Sequence, residues 1–148
     1  MNAPGAERRL RGHFVLLRAG ALRLLLPQAD VGAAGHVEGA ARAAARPGPL
    51  RAAVDGAVRE VAALSEDMAL LADCPAGRRV ACVIGGHGPA WCWDDLRVLI
   101  GLDVRLHAVP GELLAASSPV RHFAVVDGQV AFVGDASVLR SLLPGEGA

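Results

Sequence analysis

Hydrophobic residues along the chain fall into short runs that are separated by turn-forming residues. Runs over 14–17 and 22–26 flank the segment 19–21, which predicts a β-hairpin. The leucines at alternate positions of the second run share one face of a strand, because side chains alternate across a strand. Pro27 ends this strand, since proline has no N–H for the ladder.

A similar pattern recurs near the middle of the chain. Runs over 79–84 and 90–93 bracket the glycine-rich segment 85–89, which predicts two strands joined by a turn. Trp91 and Trp93 stand two residues apart, so they share one face of the second strand and the cysteine between them takes the other. Two large aromatic side chains on one face are typical of a core, or alternatively of a partner-binding surface.

The C-terminal part carries the strongest local signals. Residues 120–126 and 129–133 flank Asp127-Gly128, a pair that favours a type I′ hairpin turn. Asp135 is a suitable N-cap for a final helix through Leu143, which carries one apolar stripe.

The remaining segments are less regular. For 33–57 two interpretations stay open: a short helix over 40–46, or a flexible Ala/Gly/Pro connector. Residues 58–64 predict a strand, and Ser65 is a plausible N-cap of a short helix through Ala72. The many short strands together predict a mainly β protein, a small barrel or sandwich.

Composition narrows the class of protein. The 148 residues predict one domain, and 53% hydrophobic against 20% charged residues indicates a folded chain. Fifteen basic residues balance fifteen acidic ones, so the chain lacks the basic excess of a nucleic-acid binder. Every basic residue is arginine, which excludes chemistry that needs a lysine.

The same sequence predicts a cytoplasmic protein without membrane insertion. Arg18 and Arg23 interrupt the apolar N-terminal region, so it lacks the core of a signal peptide. No apolar run approaches the roughly 18 residues of a membrane-spanning helix. The chain has three cysteines, and this small, odd number does not suggest a disulfide framework. A reducing compartment is therefore expected.

One spacing suggests metal chemistry. Cys82, His87 and Cys92 follow the last three ligands of a zinc knuckle, but the first position holds Arg79, which cannot ligate zinc. Cys74 could substitute for it. The alternatives are a small zinc-binding module and, favoured here, two buried strand cysteines beside a turn histidine. No spacing in the sequence indicates a nucleophile paired with a base, so neither an enzyme nor a cofactor is predicted. A cysteine-dependent enzyme stays a third hypothesis.

The order of segments resembles the CheW-like domain family. The opening hairpin through Pro27 and Val31, the middle strand over 58–64, and the closing hairpin at Asp127-Gly128 with its acidic helix start follow the family pattern. The resemblance covers residues 12–143, which leaves 1–11 and 144–148 as flexible tails. Where the family commonly has an Asn-Leu-Arg-Gly-like segment, this chain matches only Gly56 and has Asp55 in place of the arginine, which implies a divergent or auxiliary member.

The resemblance implies a fold and a role. The fold is a pair of small SH3-like five-stranded β-barrels with short helices, including a C-terminal helix. The role is a non-enzymatic adaptor that couples chemoreceptor signalling tips to a histidine kinase. In such an adaptor exposed apolar residues would contact the partners. The candidate protein-binding residues are Leu22, Gly56, Trp91 and Val98.

Overall fold

The computed structural model describes residues 8–42, 50–111 and 119–143, and this part of the chain is mainly β. The strands are β1 (Arg9–Ala19), β2 (Leu22–Pro27), β3 (Val31–Arg42), β4 (Leu50–Val54), β5 (Ala57–Ala63), β6 (Val80–Ile84), β7 (Ala90–Trp93), β8 (Asp95–Arg105), β9 (His107–Ala108), β10 (His122–Val126) and β11 (Gln129–Val133). A 3-10 turn (Gln28–Asp30) follows β2, and helix α1 (Ala136–Leu142) follows β11.

The strands form two units. A closed barrel is formed by β3, β4, β5, β7 and β6, as the resemblance implies for each unit. The prediction of a second five-stranded barrel is wrong in detail, because the other unit is a six-stranded sheet in the order β8-β1-β2-β11-β10-β9. The long strand β8 pairs along β1 from Asp95 to Arg105, and β9 extends the opposite edge, so the sheet keeps two edge strands instead of closing through hydrogen bonds.

Two parallel strand pairs join segments that are distant in sequence. In the barrel, β5 runs parallel to β7, with Val61 beside Ala90. In the six-stranded sheet, β11 runs parallel to β2, with Phe132 beside Leu24. Parallel neighbours need a crossover connection, so neither pair could arise from a hairpin.

The two units share a hydrophobic core. Leu24 and Leu26 on one face of β2 pack in the same cluster as Trp91 and Trp93 on the outer face of the barrel. Leu139 of α1 is buried in this cluster too, so the helix covers the junction. The predicted common face of the two tryptophans is therefore confirmed, and the face belongs to a core.

Each unit also has a core of its own. The barrel interior holds mostly small and β-branched residues, among them Val37, Val54, Val61 and Cys92. The inner face of the curled six-stranded sheet holds Phe14, with further apolar side chains packed around it: Leu16, Leu25, Val126 and Ala131. Alternate residues of β7 thus face different cores, and all four of its side chains are buried.

The predicted local motifs at the C-terminus are confirmed. Asp127 and Gly128 have φ angles of 53° and 76°, the left-handed backbone of a type I′ turn. The Asp135 carboxylate accepts hydrogen bonds from the backbone N–H groups of Ser137 and Val138, at 3.0 and 3.3 Å, and so caps α1.

The helix predicted after Ser65 does not form. Ser65 Oγ accepts from the N–H groups of Asp67 and Ala69, at 3.2 and 3.1 Å, as an N-cap would. Met68, however, has a φ of 62°, which no helical residue adopts, and Leu70 forms a β-bridge with Leu64. In this turn the Met68 side chain is buried in the shared core.

The boundaries near the N-terminus also differ from the sequence interpretation. β1 begins at Arg9, inside the segment expected to be a tail, because its first residues pair with the end of β8. β3 extends through Arg42, so the first residues of the ambiguous 40–46 segment are strand, and 43–49 lie outside the described residues. Among the helices of the described ranges, none combines the length and apolar character that crossing a membrane requires.

Candidate protein-binding surfaces

Two of the four candidate residues have buried side chains. Leu22 is 4% exposed and Trp91 is 2% exposed, and both lie in the core that the two units share. Their side chains cannot reach a partner in this structure. Because alternating apolar residues look the same whether another layer covers them or not, the sequence could not separate this core from a surface.

Gly56 lies at the tip of the hairpin between β4 and β5. Asp55 and Gly56 have φ angles of 50° and 84°, so this turn has the same left-handed backbone as the C-terminal hairpin. The Asp55 carboxylate accepts a hydrogen bond from the His36 N–H at 2.9 Å, and the Gly56 N–H donates to the Glu38 carboxylate at 2.5 Å. Neighbouring β3 therefore holds the turn in place.

The hairpin tip, defined here as residues 55–58, is an exposed surface of the barrel. All its residues are exposed, and Val58 is 70% exposed, the largest value among the large hydrophobic side chains described. Sequence reasoning missed Val58, because the segment before it was left without an assigned strand. The Asp55-Gly56 pair was the signal that could have revealed this hairpin.

Val98 lies on a second exposed surface, on the outer face of β8. Leu96 packs against the shared core, whereas Val98 is 49% exposed and Ile100 is 67% exposed two residues further along the same strand. The shared core therefore covers only the first part of β8. We call Val98 and Ile100 the β8 patch; Ile100 was missed by the sequence analysis although it continues the alternation.

A β-bulge bends β8 at the end of this patch. Gly12 pairs with Leu102 and Phe14 with Leu99, so two residues of β8 oppose His13 alone. Gly101, with a φ of 67°, is the left-handed residue of the bulge, and its N–H donates to His13 Nδ1 at 3.0 Å. Bulges and charges on an edge strand disfavour continuous pairing with another strand, so the β8 patch offers side chains more than backbone groups.

Ion pairs involve both faces of β8. Arg97 contacts Asp127 at 2.9 Å, which ties β8 to the β10–β11 turn. Asp103 contacts Arg9 and Arg11 at 2.7 and 3.4 Å, and the hydrogen bond from Arg9 lowers the pKa of the Asp103 carboxyl below its ordinary value. Asp103 and its two arginines lie on the face of the patch, beyond the bulge, whereas Arg97 pairs with Leu16 and lies on the opposite face of the sheet.

The residues of the zinc hypothesis do not converge. Cys82 faces the shared core, Cys92 faces the barrel interior, and His87 is exposed in the turn between β6 and β7. Within the described residues, no group of three or more Cys, His, Asp or Glu side chains is placed to hold a metal ion. The favoured interpretation, two buried strand cysteines beside a turn histidine, is confirmed.

The environment of the thiols disfavours nucleophilic chemistry. Burial raises the pKa of Cys82 to about 11, and the nearby Trp93 indole offsets this only in part. In the described part of the chain the buried indole N–H of Trp93 has no hydrogen-bond acceptor. A hydrogen bond to Cys74, together with burial, strongly raises the pKa of Cys92. Both thiols are therefore protonated at neutral pH.

Comparison with known proteins does not add to this picture. No family model matches the chain, and no curated protein is significantly similar to it. The two candidate surfaces are therefore the hairpin tip on the barrel and the β8 patch on the six-stranded sheet. Val125 and Val130, which face each other across β10 and β11 and are 46% and 49% exposed, form a further exposed apolar pair on that sheet.

Proposed function

We propose that this chain is a non-enzymatic, CheW-like adaptor of bacterial chemosensory signalling. It couples the signalling tip of a chemoreceptor to a histidine kinase, or modulates the array that they form, in the cytoplasm. One observation carries the proposal: each of the two β units presents exposed hydrophobic side chains of its own, Val58 at the hairpin tip and Val98 with Ile100 in the β8 patch. An adaptor has to hold two proteins at once, and separate surfaces on two units allow this.

The contacts between the units support a fixed distance between the two surfaces. The shared core contains buried side chains from both sheets and from α1. Asp94, between β7 and β8, accepts a hydrogen bond from Gly20 of the β1–β2 turn at 2.6 Å and contacts the buried Arg78 of the barrel at 3.2 Å. A rigid spacer positions two partners without losing conformational entropy each time they bind.

The cysteines support a structural role. All three are buried as free thiols, and the raised pKa values of Cys82 and Cys92 oppose the formation of a reactive thiolate. These features favour a binding protein over a cysteine-dependent enzyme.

Calorimetric titration tests the proposal. The full chain is titrated with the regulatory domain of the host's chemosensory kinase and, separately, with a receptor signalling-tip fragment. We expect a Kd of about 1 μM or tighter for at least one of them, as for other specific interfaces of standard size. Absence of binding to both contradicts the coupling role.

Two surface variants test the assignment of the surfaces. V58D places a charge on the hairpin tip and I100D places one on the β8 patch, and both residues are exposed enough for the fold to tolerate the change. We expect each variant to weaken one partner by roughly tenfold or more while leaving the other unaffected. V125D is the matched control, because Val125 is also exposed, at 46%, but lies outside both surfaces. If V125D weakens binding as much as the other two, the surfaces are wrongly assigned.

A further inference from the structure

The loop between β5 and β6 is fastened to β7 by a buried arginine. Arg78 is 5% exposed, and its guanidinium donates to the carbonyl oxygens of Leu64 at 2.8 Å and Cys92 at 3.4 Å. The backbone N–H of Arg78 donates to the Pro75 carbonyl at 3.1 Å, which closes a tight turn. These contacts bring the residue just before this turn, Cys74, over the same strand that carries Cys92.

Cys74 and Cys92 both lie in the barrel interior. Cys74 is 3% exposed and Cys92 is 1% exposed, and both belong to the cluster that fills the barrel interior. Cys74 Sγ donates to the Pro75 carbonyl at 3.7 Å. The nearby Cys74 thiol, together with burial, raises the pKa of Cys92. Cys82, by contrast, packs in the shared core on the other face of the barrel wall. The fold thus pairs two cysteines and separates the third from them.

We propose that Cys74 and Cys92 are an oxidisable pair that a small peroxide converts into an intramolecular disulfide. Nothing in the adaptor role requires this site. Its product would bind the loop between β5 and β6 covalently to β7, beside the point where Arg78 already holds it.

Hydrogen peroxide supplies the oxidising equivalents. The Cys74 thiolate attacks one peroxide oxygen; an S–O bond forms, the O–O bond breaks, and hydroxide leaves and takes up a proton as water. The Cys92 sulfur then attacks the Cys74 sulfur; the S–S bond forms, the S–O bond breaks, and the second hydroxide leaves with the Cys92 proton as water. In total two thiols and one peroxide become one disulfide and two waters, and a dithiol reductant reverses the change.

Burial makes this oxidation slow and selective. The side chains of Cys74 and Cys92 are almost inaccessible, so the first step requires the loop to open locally. Cys74 lies on that loop and Cys92 lies on a strand, which favours Cys74 as the first sulfur to react. Once Cys74 is oxidised and the loop closes, it returns to the buried cluster that contains Cys92, which favours the disulfide over further oxidation.

Mass spectrometry of the full, reduced chain after exposure to hydrogen peroxide tests the proposal. We expect a monomer that has lost two hydrogen atoms, and a tryptic cross-link between the peptide ending at Arg78 and the peptide ending at Arg97. Fragmentation of the second peptide then distinguishes Cys92 from Cys82. This measurement on the unaltered chain does not depend on whether any variant folds.

Cysteine variants provide the matched comparison. C82A should still form the disulfide, whereas C74A and C92A should not. We also expect the oxidised chain to melt roughly 5–10 °C higher than the reduced chain, and dithiothreitol to remove the difference. A cross-link that uses Cys82, a disulfide between two chains, or sulfinic acid as the only product would overturn the proposal.

Discussion

The buried Arg78 offers the sharpest test of how the two units are held together. R78A removes the donor to the Leu64 and Cys92 carbonyl oxygens and the cation beside Asp94. Those acceptors lie where water reaches poorly, since Leu64 is 0% exposed and Cys92 is 1% exposed. The substitution therefore leaves buried polar groups without the partner they have in the wild-type structure.

The expected loss of stability follows from these contacts. Breaking a buried ion pair by removing one partner costs about 3–5 kcal/mol, and leaving a buried acceptor unsatisfied costs about 1–3 kcal/mol. Asp94 keeps 19% of its side chain exposed and also accepts from Gly20, so it is partly solvated and partly satisfied without the arginine. We therefore expect R78A to lower the free energy of unfolding by about 3 kcal/mol, which is less than the sum of the two costs because Asp94 keeps part of its solvation and another donor.

Urea denaturation followed by circular dichroism measures this loss, because urea leaves ion pairs unscreened. The midpoint should fall while the slope with denaturant stays unchanged, and Tm should fall by roughly 6–12 °C for a chain of this size. R97A is the matched control: it also removes an arginine from an ion pair, but both side chains are about half exposed, at 49% and 61%. We expect R97A to lose only about 0–1 kcal/mol.

The comparison between the two variants decides the outcome. If R78A and R97A destabilise the chain equally, or if R78A lowers the free energy of unfolding by less than about 1 kcal/mol, the buried contacts of Arg78 do not stabilise the fold more than an exposed ion pair does. A reduced slope for R78A alone would instead show that the two units unfold separately once the link is removed.

Three further predictions concern local features. D135A should lower the free energy of unfolding by about 1 kcal/mol at pH 7, because it removes the N-cap of α1. Hydrogen bonding, first from the Ser137 side chain, lowers the pKa of Asp135 in the folded state. The contribution of Asp135 to the free energy of unfolding is therefore present above the unfolded pKa of about 3.9 and is lost as the pH falls through the lower folded pKa. D135N should lack this pH dependence in urea titrations, and a pH profile equal to that of the wild type would contradict the assignment. G56A should cost about 1 kcal/mol from the backbone alone, since φ is 84° and a Cβ there would meet nothing within 4 Å. The control G111A, at a glycine with open space and no left-handed φ, should be neutral, and equal effects would refute the strain. The three buried thiols should react with Ellman's reagent more than a hundredfold more slowly in the native chain than in guanidinium chloride; one thiol that reacts at the denatured rate would show an exposed cysteine.

Several elements could be predicted because their determinants are local. The Asp127-Gly128 turn requires only two residues that accept a left-handed backbone, and the Asp135 cap requires only a carboxylate next to the first N–H groups of a helix. The hairpins β1–β2 and β6–β7 follow from alternation and turn residues in the same way. The segment after Ser65 shows the limit of this reasoning. The predicted cap forms, but Met68 packs in the shared core with a positive φ that excludes a helix.

By itself, the sequence determined the class of the fold and the place of most strands, because side-chain periodicity and turn chemistry act between close neighbours. Only the tertiary structure decided which apolar residues are covered. Trp91 and Val98 both lie in strands whose hydrophobic residues alternate with other residues. Trp91 is buried between the units, whereas Val98 is exposed where β8 extends beyond the shared core. The same holds for the approach of Cys74 to Cys92, which depends on a loop, a barrel strand and a buried arginine. Such contacts join residues that are distant along the chain, so they depend on how the two units pack and not on any local pattern.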